Sequence, residues 1–542
     1  MRGDKDPNFE PTSPEEAEIS RRQLFERAAA LGISASLLPA FLASEAAAGP
    51  LAEGQTGGTL GVRTWGLYAG TLDPVEAPSF LEYQTVAPIY EGLLGYKPGS
   101  KKAYPLLAEE VEQSKDGKRF KFNLKRGIPF HGGYGEVTAE DVAFSLLRGN
   151  AAPANSDGSR GKLRRVRVTG KYSGVIELTT PYVPYMTGSL TRWTAAIVSK
   201  RAVQQLGDRF KTRPIATGPY QVSEFIPQQG VTLTRFRNYK GQVRSIAPLA
   251  TFDEIVYRVI VQDNPAVIAL QSGQISYAMI GAGFLNIVRN DSRYTTYPSS
   301  IPGHYVLGMN TQHRLLKDPN LRKAIRWGID MQQVANGAFE GFNPPDWYLI
   351  QHGNPGFWRG TPRYRRDLAR AREFFRAGGS PKDPLKIQTL VAQSFRSAAE
   401  ILAEQLKEVG FNIVVDAGSS PDAQAWRRQN PPSADSAMHF TIIPHGFDAS
   451  DWTEPFHSHR IGVNSICFWD NERYDALWKQ ATQTLDAKKR NAIYQQMQRL
   501  FAAEMPANML LKGIQYYAGK RSLRPAFSPW GFAAYHLFGG TP

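Results

Sequence analysis

At 542 residues, 42 % hydrophobic and 21 % charged, the chain has enough apolar content for two or three packed units, and its composition excludes a disordered or low-complexity protein. A single cysteine, Cys467, rules out an intramolecular disulfide and reads as a small buried apolar residue. The formal net charge of +15 permits acidic partners, but the basic residues are scattered, which fits a solvated surface better than a nucleic-acid face.

The first element in chain order is a targeting signal. In "SRRQLFERAAALGISASLLPAFLASEAAA" the pair Arg21-Arg22 precedes an apolar stretch, 28–43, and the triplet Ala46-Ala47-Ala48. That is the layout of a cleaved export signal of twin-arginine type over residues 1–48. The apolar stretch contains Gly32 and Pro39 and is short for a membrane span. The segment holds five basic and eight acidic residues, so its removal takes the net charge to +18. No cysteine stands near the cleavage point to carry a lipid, and the expected product is a soluble periplasmic protein.

"TLGVR" (59–63) alternates as a short strand, and "RFKFNLKRGIPFHGG" (119–133) puts Phe120, Phe122 and Leu124 on one face with period two. "TAEDVAFSLLR" opens with Thr138 and has Asp141 three residues on, a capping box before a helix. "VTLTRFRNY" (231–239) is another strand candidate. From about residue 304 the rhythm becomes strand, loop, helix, strand. Asp318 caps and Pro319 opens a helix with Leu321, Ala324, Ile325, Gly328 and Ile329 on one side. "LKIQTLV" (385–391) is a strand, "SAAEILAEQLKEVG" a helix ended by Gly410, and "FNIVVD" (411–416) and "AMHFTII" (437–443) are strands. A helix follows with Ile493, Met497, Leu500 and Phe501 at helical spacing. Such alternation predicts a sheet with helical crossovers, whose ligand crevice lies outside the carboxyl ends of the strands. The loops after Val391 ("AQSFRS") and after Ile443 ("PHGFDASDW") are therefore expected on one cleft wall.

The second of those loops begins "IIPHGFDASDWTEPFHSH" (442–459), with three acids and three histidines in 18 positions. A catalytic carboxylate pair, a metal site and the wall of a binding pocket are all conceivable there. Glycosidase carboxylates need a set separation across a sugar bond, which Asp448 and Asp451 three residues apart do not establish. The chain has no G-x-S-x-G, H-E-x-x-H or phosphate loop. His439, His445, His457 and His459 cluster, and imidazole suits nickel, copper or zinc, but no helical H-x-x-x-H or cysteine pair accompanies them. The binding wall is the expectation, with no catalytic residue, no metal and no cofactor.

Seven segments in order resemble a known family: "LDP" (72–74), "IYEGLLGY" (89–96), "PLLAEEVEQSKDGKRFKFNLKRGIPFHGG" (105–133), "TAEDVAFSLLR" (138–148), "ATGPYQV" (216–222), "LRKAIRWGIDMQQV" (321–334) and "YDALWKQATQTLDAKKRNAIYQQMQRLFAAEMP" (474–506). They are similar to the family 5 extracellular solute-binding proteins, the periplasmic peptide- and nickel-binding receptors of ABC importers. The resemblance implies an α/β, two-lobed periplasmic-binding-protein fold with hinge strands and an extra subdomain in the first lobe. Lobe I would take 50–303 with a return segment 507–542, and lobe II 304–506, the chain crossing at "HYVLGMN" (304–310) and "MPANMLL" (505–511). It further implies a monomer that traps a short peptide or peptide-like ligand, docks on an inner-membrane permease and performs no catalysis. Opine-like, sugar and metal-chelate ligands remain open, and an exported hydrolase is the rival class.

Peptide-binding members hold the ligand's α-amino group with an aspartate in a pattern like W-x-x-D-x-x-D-P. "HGFDASDWTEP" places Asp448 and Asp451 at its two acids, but with His445 at the Trp position and Trp452 at the Pro position. The resemblance implies that Asp448 faces the ligand's amine, and His445 is a further candidate ligand contact. An ammonium facing a desolvated carboxylate is a physically sound pair. Arg396, in the other loop, offers a planar fork for a ligand carboxylate. Trp65 and Tyr68, in the loop after the first strand, together with Trp452 and Phe447, are candidates to cover an apolar part of the ligand.

Overall fold

Strand β1 occupies Thr59–Thr64, where the alternation places it, with Leu60 and Val62 fully buried. The computed structural model describes residues 57–64, 70–76, 84–96, 100–151, 161–240, 252–528 and 531–540; the export signal expected over residues 1–48 lies outside them. Strands β2 (Ala108–Gln113) and β3 (Arg119–Leu124) follow, and Phe120, Phe122 and Leu124 all face inward, as period two requires. Helix α1 (Ala139–Ala151) is capped as its sequence predicts, the Thr138 amide and hydroxyl donating to Asp141 Oδ2 at 3.0 and 2.7 Å. With β4 (Leu163–Gly170) and β5 (Ser173–Leu178) these strands form a four-stranded antiparallel sheet, order β2-β3-β5-β4.

The remaining long strands share one ten-stranded sheet. They are β6 (Tyr220–Ile226), β7 (Gly230–Arg235), β8 (Glu254–Val259), β9 (Tyr277–Ile280), β10 (Tyr294–Met309), β11 (Pro384–Leu390), β12 (Asn412–Gly418), β13 (Met438–Pro444) and β14 (Ala507–Lys520), with β1 among them. Their order is β12-β11-β13-β10-β14-β9-β1-β8-β7-β6. Helix α2 (Pro319–Gly328) begins at the Asp318 cap, whose carboxylate accepts from the Asn320 amide at 2.8 Å. It packs with α3 (Gln393–Val409) over one half of the sheet, in a core that includes Leu307, Ile325, Ile387, Leu402 and Phe440. Cys467 is buried, and burial pushes its thiol up to about 12.

β10 and β14 are long enough to belong to both halves. Their antiparallel register is broken between Ser300 and His304, and the two halves of the sheet meet at that break. From one side come β1 and β9, parallel to each other; β9 ends at Ile280, opposite Tyr516. From the other side comes β13, which ends at Pro444 opposite Gly303. Carboxyl ends of strands from both halves thus converge on the middle of the crossing strands, which is where an open α/β sheet accepts a ligand. Backbones approach closely here: a Cβ on Gly303 would lie 2.3 Å from the Ile443 carbonyl oxygen. Gln351 closes the junction, donating from Nε2 to Gly303 O at 2.8 Å and to Asp346 Oδ2 at 3.0 Å.

Three further helices, α4 (Ala449–Thr453), α5 (Glu472–Gln483) and α6 (Ala487–Glu504), contribute to the same apolar core as the four-stranded sheet. Phe120, Ile176 and Tyr182 share one apolar core with Trp452, Trp478 and Tyr494. No helix among the described residues is long and apolar enough to cross a membrane.

Candidate binding site

β11 and β13 are parallel neighbours, so the segments that leave them emerge at the same edge, as expected. The first is not a loop. Helix α3 starts at Gln393, and Arg396 sits in its first turn with its side chain 62 % exposed, donating to Glu400 at 2.9 Å. Arg396 thus stands on a helix and not in the expected loop, with an i,i+4 partner on its own helix.

The segment after β13 turns inward. The His445 amide donates to Pro302 O at 2.6 Å, tying the loop to the crossing strand. Next comes Gly446, where a Cβ would lie 2.1 Å from Asp451 Oδ2, so only glycine lets the carboxylate approach. Asp448 then caps α4: its Oδ1 accepts from the Ser450 amide at 2.8 Å, and Asp451 Oδ2 accepts from the Asp448 amide at 3.4 Å, a reciprocal capping box. Each acid has a second partner from elsewhere in the chain. Arg490 of α6 donates from Nη2 to Asp448 Oδ2, and Arg192 donates from Nη2 to Asp451 Oδ1 at 2.7 Å. Burial opposes the charge on Arg490, but Asp448 outweighs it and raises the guanidinium pKa. Two carboxylates, one buried and one largely covered, with two guanidiniums leave the loop electrically balanced, a poor arrangement for proton transfer and a sound one for holding shape.

The aromatic candidates divide. Trp452 is fully buried, stacked on His445 at 4.4 Å and edge-on to His304 at 5.3 Å. It is part of the core beneath the loop. His445 Nδ1 lies 2.9 Å from the Asp451 carbonyl, which can only accept, so that nitrogen carries the proton and Nε2 is left with a lone pair and no donor. Burial, and then the nearby His304, pull its pKa down to about 3. Phe447 is 7 % exposed and meets the ring of Tyr96 edge-on at 5.2 Å, in a small cluster with Ile301 and Phe532. Trp65 and Tyr68 lie outside the described residues.

The histidines do not gather around a common point. His439 accepts from the Arg427 guanidinium and stacks on Trp426 at 4.8 Å, while burial and the charge on Arg427 hold it well below the usual range. His457 lies 3.1 Å from Asp475 Oδ1, and His459 Nε2 lies 2.8 Å from Glu454 Oε1. Among the described residues no group of three or more potential ligands is placed to hold a metal ion.

Sequence reasoning missed Arg192, Arg490, His304 and Tyr96. For Arg490 a signal existed: it stands four residues before Tyr494 and seven before Met497, so the apolar stripe of α6 runs through it. Arg192 carries no comparable local mark.

Residues 102–458 match the family model of bacterial extracellular solute-binding proteins, family 5 Middle. The glutathione-binding protein GsiB of Salmonella choleraesuis is 23 % identical over 457 residues, covering 80 % of this chain and 85 % of its own. The oligopeptide-binding protein AppA of Bacillus subtilis is 24 % identical over 458 residues, with 77 % and 79 % covered. The periplasmic binding protein DppA of Helicobacter pylori, solved with the peptide STSA, superposes with a TM-score of 0.80 at 19 % identity, over 90 % of this chain and 99 % of that one. The likeness in structure bears out the two-lobed α/β fold expected from sequence.

Proposed function

Because this chain belongs to the bacterial extracellular solute-binding proteins of family 5, we propose that it is a periplasmic receptor that captures a short peptide or peptide-like molecule between two lobes and delivers it to an ABC importer. The observation that carries this reading is the convergence of β1, β9 and β13 on the register break of the crossing strands, with Asp448 and Phe447 in the loop that leaves β13. The names of the relatives, which bind glutathione and oligopeptides, point to the same ligand class.

In this reading lobe I comprises 50–303 with 507–542, lobe II comprises 304–506, and β10 and β14 are the hinge. Asp448 and Phe447, with Trp65 and Tyr68 from the opposite lobe, contact ligand; His445 and Trp452 hold the loop in place. Ligand closes the hinge only through its higher affinity for the closed form. Residues 1–48 direct export and are removed, the product carries no lipid and acts as a monomer, and its partner is an inner-membrane permease. No covalent chemistry is required.

The test is calorimetric titration of the mature protein with di- to tetrapeptides and glutathione, beside opines, sugars and a nickel chelate. Saturable micromolar or tighter binding of a peptide supports the reading. Binding confined to another panel member keeps the receptor and replaces its ligand class, and turnover of any of them overturns it.

A further inference from the structure

Arg326 lies near the end of α2 and is 4 % exposed. A guanidinium keeps its proton at neutral pH. Burial pulls the pKa of this one down to about 10, and no carboxylate among the described residues offsets that shift. Its partners are weak: Nη2 donates to Met331 Sδ at 3.2 Å, and its central carbon lies 4.9 Å from the Tyr364 ring centroid. Nη1 has no hydrogen-bond partner. A buried charge is ordinarily paired, because its desolvation is otherwise uncompensated.

A cavity of about 40 Å³ adjoins this group, bounded also by Trp347, Tyr364, Gln498, Asn508 and apolar side chains of α6 and β14. The Trp347 indole N–H is used, donating to Tyr364 O at 3.0 Å. Gln498 Nε2 donates to Gly356 O at 2.7 Å and Tyr494 O at 3.1 Å, which fixes its amide and leaves Oε1 without a donor. The Asn508 amide nitrogen makes only a 3.7 Å contact, to Met309 Sδ.

We propose that this cavity is a binding site for a small monovalent anion of chloride size, with Arg326 Nη1 as the main donor and the Asn508 amide as the second. A cavity of about 40 Å³ suits an anion of chloride size better than a larger oxyanion. The anion neutralises the guanidinium and joins α2 to α6 and to the first residues of β14, one of the two crossing strands. The site is separate from the loop after β13 and does not depend on the identity of the solute.

Crystals of the mature protein soaked in sodium bromide test it directly. An anomalous peak within hydrogen-bonding reach of Arg326 Nη1 is expected, and a map with water alone there overturns the proposal. In solution, replacing gluconate by chloride at constant ionic strength should raise Tm by about 1–2 °C at tenfold excess over Kd. Arg326→Met should abolish that rise. A rise of the same size in the variant overturns the proposal, and if the variant does not fold, the bromide map on the unaltered protein decides.

Discussion

Arg192 and Asp451, separated by 259 residues in sequence, meet at 2.7 Å with both side chains 11 % exposed. The pair ties the segment after the four-stranded sheet to the loop that leaves β13. It also holds the carboxylate that closes the capping box on Asp448. Removing one partner strands the other charge in a place with little water. Arg192→Met should therefore lower unfolding stability by about 2–3 kcal/mol. In a double-mutant cycle with Asp451→Asn the coupling should exceed about 1 kcal/mol. Additive losses in urea titrations would show that the pair does not work as a unit.

Asp448 presents a different balance, since Arg490 already compensates its charge. In the receptor reading an α-ammonium shares this carboxylate with the guanidinium. Asp448→Asn should weaken a free-amine peptide about tenfold, less than the loss expected for a lone buried carboxylate. The N-acetylated peptide should be affected by no more than about twofold. Equal losses for both peptides, measured by calorimetry, would remove Asp448 from amine recognition.

Trp452 and Arg396 provide opposite controls. Trp452 has no exposed surface, so Trp452→Ala should cost about 3–5 kcal/mol of stability. Arg396 is exposed and paired within its helix. Arg396→Ala should change stability by less than about 0.5 kcal/mol and ligand affinity by less than about twofold. A tenfold affinity loss in the second variant would restore Arg396 to the site.

Acid should destabilise the fold. Burial pulls the folded pKa values of His131, His445 and His536 down to about 4, 3 and 4. An unfolded histidine takes up its proton near 6.5, so below that pH the unfolded chain binds more protons than the folded one. Stability from these three is complete above about pH 6.5 and is lost progressively towards pH 3–4. Chemical denaturation at pH 7 and pH 4.5 should show a midpoint that falls on acidification; an unchanged midpoint would contradict the buried neutral histidines.

Glu91 runs the other way. Burial lifts its carboxyl from 4.5 to about 7, against the hydrogen bond from the Tyr239 hydroxyl at 2.8 Å. Its protonated form is favoured in the fold, so this contribution is present below about pH 4.5 and lost as pH rises through 7. Glu91→Gln should gain about 2 kcal/mol relative to the unaltered protein on going from pH 5 to pH 8. A pH-independent difference between the two would refute the assignment.

Much of the architecture was legible in sequence because it is set by neighbours along the chain. Alternation placed β1, β3 and β12, and the capping chemistry of Thr138 with Asp141 and of Asp318 placed the starts of α1 and α2. Even the edge at which the loop after β13 leaves could be named, since strand direction determines it. Tertiary structure decided what those residues are for. Whether Trp452 is buried or Arg396 exposed depends on which face of a local element another element covers. Asp448 and Asp451 read alike in sequence, yet each is held by a guanidinium from a different distant segment, Arg490 and Arg192. Charges choose partners by distance in space and by the loss of water around them, and neither quantity exists until the chain has folded.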